Sequence, residues 1–222
     1  MGALIESTIY PDNDGVVYKF AADTWANIRN ASSGTLNTTA SYYIQNSHTS
    51  GRGGDTHQIG RYFLEFDTSA INKTISSATV SLYGYNLGTL DVILAKGSQS
   101  STVATSDFNE IFNGSTPLGN SDGRGAGTFA STSVVEYSGE IATWSTSGYN
   151  EITLNSDAFA DIIANDAFTC VLIGYDYDYL DIAPSEAYYR AGFRQDYYSG
   201  TGSDPKLVIK EQRNSVFFGH NF

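Results

Sequence analysis

Apolar and polar side chains alternate with a period of two along much of this chain. In residues 61–71, Tyr62, Leu64 and Phe66 share one side; in residues 74–83, Ala78, Val80 and Leu82 lie opposite Thr79, Ser81 and Tyr83. That period belongs to strands with one buried face. It recurs at Val16, Tyr18 and Phe20, at Leu90, Val92 and Leu94, across residues 150–154, and at Ala187, Tyr189, Ala191 and Phe193. Residues 41–45 and 206–210 read as further strands, and residues 169–175, apolar on both sides, as a central one. Residues 24–29 form a short apolar segment. One helix is predicted over residues 157–165, where Phe159, Ile162 and Ile163 share a face, and one helix-like turn over residues 106–112 with Ser106 as its cap. Residues 48–60 read as a polar loop and residues 97–133 as a long connection. The expected fold is all-β: a two-sheet jelly-roll sandwich with one or two short helices. Its expected parts are an N-terminal arm over residues 1–15, one domain over 16–210 and a tail over 211–222.

Composition sharpens this picture. Of 222 residues only 16% are charged, against roughly 25% in an average protein, while 14% are aromatic, with 16 Tyr and 12 Phe. The formal net charge is -12, from 24 acidic and 12 basic residues. Scattered cations against that excess offer no surface for a phosphate backbone, so nucleic-acid binding is not expected. No apolar run approaches the ~20 residues that span a bilayer, and no membrane role is expected. Cys170 is the only cysteine and lies in an apolar run, so it reads as a buried small hydrophobe. Residues 1–6 lack the basic and apolar regions of a secretory signal, which leads to the expectation of folding in a cytoplasm.

Candidate chemistry is sparse. His48, Asp55 and His57 share a loop and form a conceivable metal set, although a Gly-rich loop needs outer partners to hold such ligands. Glu65 and Asp67 project from one side of a strand, as a glycosidase pair would, but Asp67 equally suits the turn into Thr68-Ser69. No Ser/His/Asp arrangement is present, and the chain reads as non-catalytic. The most suggestive run is Gly174-Tyr175-Asp176-Tyr177-Asp178-Tyr179-Leu180-Asp181. If extended, it places Tyr175, Tyr177 and Tyr179 on one face, where they would stack on sugar rings. Asp176 and Asp178, with Asp181, would then hold calcium. The competing reading is an exposed strand end with solvated acids.

Residues 61–83 resemble the core of the DNRLRE family of jelly-roll modules. The pattern is met by Arg61, Leu64, Phe66, Asp67, Ser69, Ile71, Ile75, Ser77, Ala78, Leu82 and Tyr83. Asp204-Pro205-Lys206-Leu207-Val208-Ile209 resembles the strand that closes these modules. The segments around Thr24-Trp25, Ile28-Arg29 and Phe193-Arg194 resemble bacteriophage versions. The resemblance implies a carbohydrate-binding-module-like jelly roll, found as a non-catalytic module of surface proteins and polysaccharide-degrading enzymes and as a structural part of phage particles. The expectation is a virion protein, multi-copy or homo-oligomeric, partnered by capsid or tail subunits and by a host-surface glycan. The alternative is a stand-alone carbohydrate-binding module. Leu4 and Ile5 in the arm, and Phe217, Phe218 and Phe222 in the tail, are the expected partner anchors, because exposed apolar clusters mark partner surfaces.

Overall fold

The alternation seen in the sequence becomes a set of antiparallel strands wrapped around two separate apolar layers. The computed structural model describes residues 4–39, 41–99, 101–111, 134–195 and 202–212. In chain order these form β1 (Leu4–Ile9), β2 (Asn13–Ala21), α1 (Trp25–Arg29), β3 (Thr35–Asn37), β4 (Ser41–Thr49), β5 (Thr56–Asp67), β6 (Ile75–Gly88) and β7 (Val92–Lys96). There follow a 3-10 turn (Thr105–Asn109), β8 (Tyr149–Thr153), α2 (Ser156–Ala164), β9 (Ala167–Gly174), a π-helical turn (Tyr175–Tyr179), β10 (Ala187–Arg194) and β11 (Lys206–Gln212).

The fold is an all-β sandwich. One layer runs β1, β11, β6, β8; the other runs from β10 through β4, β5 and β2 to β3, with β9 and β7 added along the second half of β5. Strand β6 serves both layers. Its first half pairs with β11 and β8, and its end pairs with β10 at Gly84 and Gly88. The crossing is tight. A Cβ on Gly84 would lie 1.7 Å from the Ser145 carbonyl oxygen, and one on Gly192 of β10 would lie 2.0 Å from that of Tyr85. Only glycine allows the backbones to approach this closely.

Between the layers lies the main core. Tyr62, Leu64 and Phe66 of β5 and Cys170 and Leu172 of β9 meet Ala78, Val80 and Leu82 of β6 and Leu207 and Ile209 of β11. Cys170 is buried as expected, and burial pushes its thiol up, away from the reactive thiolate. The outer face of β5 is buried as well. Val17, Ile59, Phe63, Val171 and Ile173 form a second core beneath Trp25 and Ile28 of α1, Phe108 of the 3-10 turn and Tyr179 of the π-helical turn.

Several expectations need correction. Residues 4–9 are not a separate arm: β1 pairs with β11 from Leu4 opposite Gln212 to Ile9 opposite Leu207. Residues 48–60 are mostly strand rather than loop, because β4 runs through Thr49 and β5 begins at Thr56. Residues 24–29 form α1, with the Thr24 hydroxyl accepting from the Asn27 amide. The cap of α2 is Asn155, which accepts from the amides of Asp157 and Ala158. Ser106 caps nothing; the Asp107 carboxylate instead accepts from the Ala104 amide. Residues 175–179 form a π-helical turn, and 180–181 a turn, so the run is not extended.

If the outer layer is a true core, truncating either face of β5 carries a core-sized cost. Phe63→Ala and Phe66→Ala should each destabilise by about 3–5 kcal/mol in chemical denaturation. A loss under about 1 kcal/mol for Phe63→Ala would reduce the outer layer to loose cover.

Candidate functional site

Strands β4 and β10 carry Tyr43, Tyr188 and Arg190 on one outward face, and one row of it runs on to Gln58 of β5 and Phe20 of β2. Cross-strand neighbours share a face. Tyr188 lies opposite Ser47, Ser47 opposite Gln58, and Gln58 opposite Phe20, which makes one continuous row over four strands. The next row contains Arg190 opposite Gln45 and Gly60 opposite Tyr18. The ends of the first row are exposed, Tyr188 by 54% and Phe20 by 60%. Three strand spacings separate them, roughly 14 Å. Between them Ser47 is buried and Gln58 half-buried, and in the next row Gln45 and Gly60 are buried, Gly60 lying against the backbone of Ile44 and Gln45.

The face is held by its own contacts. The Arg190 guanidinium lies over Tyr43 at 5.1 Å and over Tyr188 at 4.9 Å from the ring centroids. Its Nε donates to Gln45 Oε1. Gln45 Nε2 donates to Ser47 Oγ at 2.8 Å and to Gln58 Oε1 at 2.9 Å. Thr49 Oγ1 donates to the Tyr188 hydroxyl at 2.9 Å. Behind this face, Tyr42 stacks on Tyr43 at 4.8 Å and 6°, and Tyr18 follows at 6.2 Å, both Tyr42 and Tyr18 packing against the main core. Burial, then the neighbouring Tyr43 and Tyr18, pushes the Tyr42 phenol up to about 12. The result is a ridge of rings and one cation, set before any partner arrives. Its chemistry is stacking and hydrogen bonding.

The residues singled out in the sequence fall elsewhere. Tyr175 and Tyr179 stack on each other at 5.3 Å, Tyr179 is buried with its hydroxyl on Glu136, and Tyr177 packs against Tyr189 at 4.5 Å. They share no open face. The acids of this run separate too. Asp178 is fully buried, with its carboxylate against Arg61 at 2.7 and 2.8 Å and its carbonyl oxygen accepting from Arg29 Nε at 2.8 Å. Asp181 lies 3.3 Å from the Arg29 guanidinium, at a φ of 57° that Asp tolerates. Asp176 lies near Asp91, whose carboxyl is raised by burial and then by the Asp176 charge. The proposed calcium trio therefore does not converge. Among the described residues no cluster of three or more His, Cys, Asp or Glu side chains has metal-binding geometry.

His48 and His57 do meet, but their rings stack in parallel at 4.6 Å, which sets their nitrogens side by side and not around a common point. Asp55 lies 3.3 Å from His48 Nε2, and His57 Nδ1 sits 2.7 Å from the Asp23 carbonyl oxygen. Trp25, His57, Asp23 and Asp55 line a cavity of about 430 Å³ beside them. Asp67 takes the turn role, accepting from the Ser69 amide at 2.9 Å and the Ser69 hydroxyl at 2.6 Å. Burial, then Asp12, raises the Glu65 carboxyl. Leu4 is 51% exposed and Ile5 half-buried on β1. Phe217, Phe218 and Phe222 lie outside the described residues.

Sequence reasoning missed Tyr43, Tyr188 and Arg190. The signal was present: once Ala187, Tyr189, Ala191 and Phe193 take the inner face, Tyr188, Arg190 and Arg194 take the outer one. Comparison with family models and with curated proteins yields no match to this sequence. The fold and the ridge define the class on their own: a β-sandwich with an aromatic, arginine-bearing sheet face.

Two outcomes follow from this geometry. Asp178→Asn strips the charge partner from a buried arginine and should cost about 3–5 kcal/mol in denaturation, whereas millimolar calcium should leave the melting temperature unchanged. Alkali probes Tyr42. Its folded phenol ionises near 12 against an ordinary 10.0, so the unfolded chain loses that proton first. Stability should fall as pH rises from about 10 to 12, and Tyr42→Phe should make that fall shallower in pH-dependent melts, the remainder coming from the other phenols that burial raises, Tyr137 and Tyr177 among them.

Proposed function

We propose that this chain is a non-catalytic structural component of a bacteriophage particle, a capsid decoration, head-fibre or tail-associated protein, that uses the tyrosine–arginine ridge to hold a partner. The observation that carries the reading is the clamp of Arg190 between Tyr43 and Tyr188 on an exposed sheet face. Rings fixed by stacking and an arginine fixed by a side-chain hydrogen bond lose little freedom on binding, and such residues dominate recognition surfaces. The resemblance of residues 61–83 to a module used in phage particles supplies the setting.

A second reading is favoured by the shape of the same face. The exposed rings of Tyr188 and Phe20, about 14 Å apart with the half-buried Gln58 between them, suit a run of sugar rings. This is the stand-alone carbohydrate-binding module.

One pair of variants tests both. Tyr188→Ala and Arg190→Ala remove outward groups and should leave the melting temperature within a few degrees. In the first reading, tagged wild-type chain co-purifies with intact particles and both variants lose at least about tenfold in occupancy. In the second, wild type binds on a glycan array without any particle, and the same variants lose that signal. Full occupancy and full glycan binding by both variants would remove the ridge from either account.

A further inference from the structure

Strand β1 ends one layer of the sandwich, and among the described residues no strand pairs with its outer edge. Edge strands are normally guarded by lysine, proline or a bulge, because open N–H and C=O groups template pairing with another chain. Leu4-Ile5-Glu6-Ser7-Thr8-Ile9 has none of these guards. Its pairing with β11 is regular throughout, and its one charge, Glu6, lies 3.5 Å from Lys210 of the same layer. Leu4, Glu6, Thr8 and Tyr10 are exposed, while Ile5, Ser7 and Ile9 are half-buried. Leu4 is 51% and Tyr10 39% exposed, an unusual outlay of apolar surface along one edge. Tyr10 precedes Pro11, which keeps its backbone extended and continues the line of the strand.

These seven residues are self-complementary in one register. A two-fold axis perpendicular to the sheet keeps each face on its own side, so antiparallel pairing must centre on a residue. Centring on Glu6 sets two carboxylates opposite each other, which is destabilising. Centring on Thr8 sets Leu4 against Asp12. Centring on Ser7 sets Ser7 against Ser7, Glu6 against Thr8, Ile5 against Ile9, and Leu4 against Tyr10. No like charges meet, the β-branched pair falls on the inner face, and the two exposed apolar residues cover each other.

We propose that β1 pairs antiparallel with β1 of a second copy of this chain about a two-fold axis at Ser7, joining two sandwiches through one continuous sheet. The inference rests on the expectation of a multi-copy protein that accompanies the proposed function, but its test reads mass and cross-linking, with neither particle nor glycan present. The two can therefore fail separately.

The contact is one strand long and falls below the ~1,200 Å² of a standard interface, so mass is measured by light scattering up to about 0.5 mM. Wild type should approach twice the chain mass as concentration rises. Ser7→Lys, which opposes two ammonium groups at the axis, should stay monomeric with an unchanged melting temperature. Under mild oxidant Ser7→Cys should form a covalent dimer, because opposed Cα atoms about 4.5–5.5 Å apart suit a disulfide. The native Cys170 is buried and does not compete. Thr8→Cys should not cross-link, since its two copies would sit roughly 8 Å apart. A monomeric wild type at every concentration, the result if another segment occupies this edge, overturns the proposal. So does cross-linking of Thr8→Cys as readily as Ser7→Cys. Should Ser7→Lys fail to fold, the two cysteine variants decide alone.

Discussion

Arg61 has no exposed surface, and a guanidinium taken out of water must be met on every side. Its Nε and one terminal nitrogen reach the two oxygens of Asp178. That same terminal nitrogen also donates to the Arg29 carbonyl oxygen, the remaining one donates to the Phe108 carbonyl oxygen, and the guanidinium carbon lies 4.2 Å from the Phe108 ring centroid. Arg29 brings a second buried cation, answered by the Asp178 carbonyl oxygen and by Asp181. Two cations and two carboxylates close the account in charge. They also gather four chain segments, α1, β5, the 3-10 turn and the π-helical turn, over one face of the sheet. A buried pair of this kind adds little net stability beside an apolar substitute, but losing one member is costly. Its contribution here is to specify where those segments sit.

That constraint explains the shape of the run from Tyr175 to Asp181. In isolation, alternating Tyr and Asp suggest a strand with solvated acids. In the fold, Asp178 must reach Arg61 across 117 positions of sequence, and the backbone tightens into a π-helical turn that turns the carboxylate inward. Tyr179 follows it into the second core, and Tyr177 is carried against Tyr189. Asp178 and Asp181 are thereby spent on arginine while Asp176 lies beside Asp91, so the three carboxylates of this run do not gather around one point.

The period-two signal made β5, β6, β10 and β11 legible, since each has one face in the main core and the alternation records it. The helix over residues 157–165 was legible for the same reason at its own period. The second core was not. Phe63, Ile59 and Arg61 occupy the face of β5 that alternation assigns to solvent, and only the partners from α1 and the two turns reveal its burial. The β4–β5 hairpin was misread because its buried side chains are polar: Gln45, Asn46, Ser47 and His57 look like loop residues, yet Gln45 bonds Ser47 and Arg190, Asn46 lies against Gly174, and His57 packs on His48 and Trp25. Propensity had no means of reporting a neighbour far along the chain.

Strand β5 also couples the buried charges to the outward ridge. Its residues alternate between two tasks: His57, Ile59, Arg61 and Phe63 face the outer core, while Gln58 joins the row between Ser47 and Phe20 and Gly60, Tyr62 and Leu64 continue that side into the main core. A slip of one residue would exchange every member of the two sets. It would put Gly60 where Asp178 needs a guanidinium, and Arg61 beneath the Tyr18 row. Arg61 can meet both oxygens of Asp178 in one register only, so the buried pair holds Gln58 opposite Ser47 and Phe20. The row from Tyr188 to Phe20 is thus held in register by electrostatics on the far side of the same strand. The ridge can consist of weakly charged, sequence-tolerant groups because the specification of register is made elsewhere.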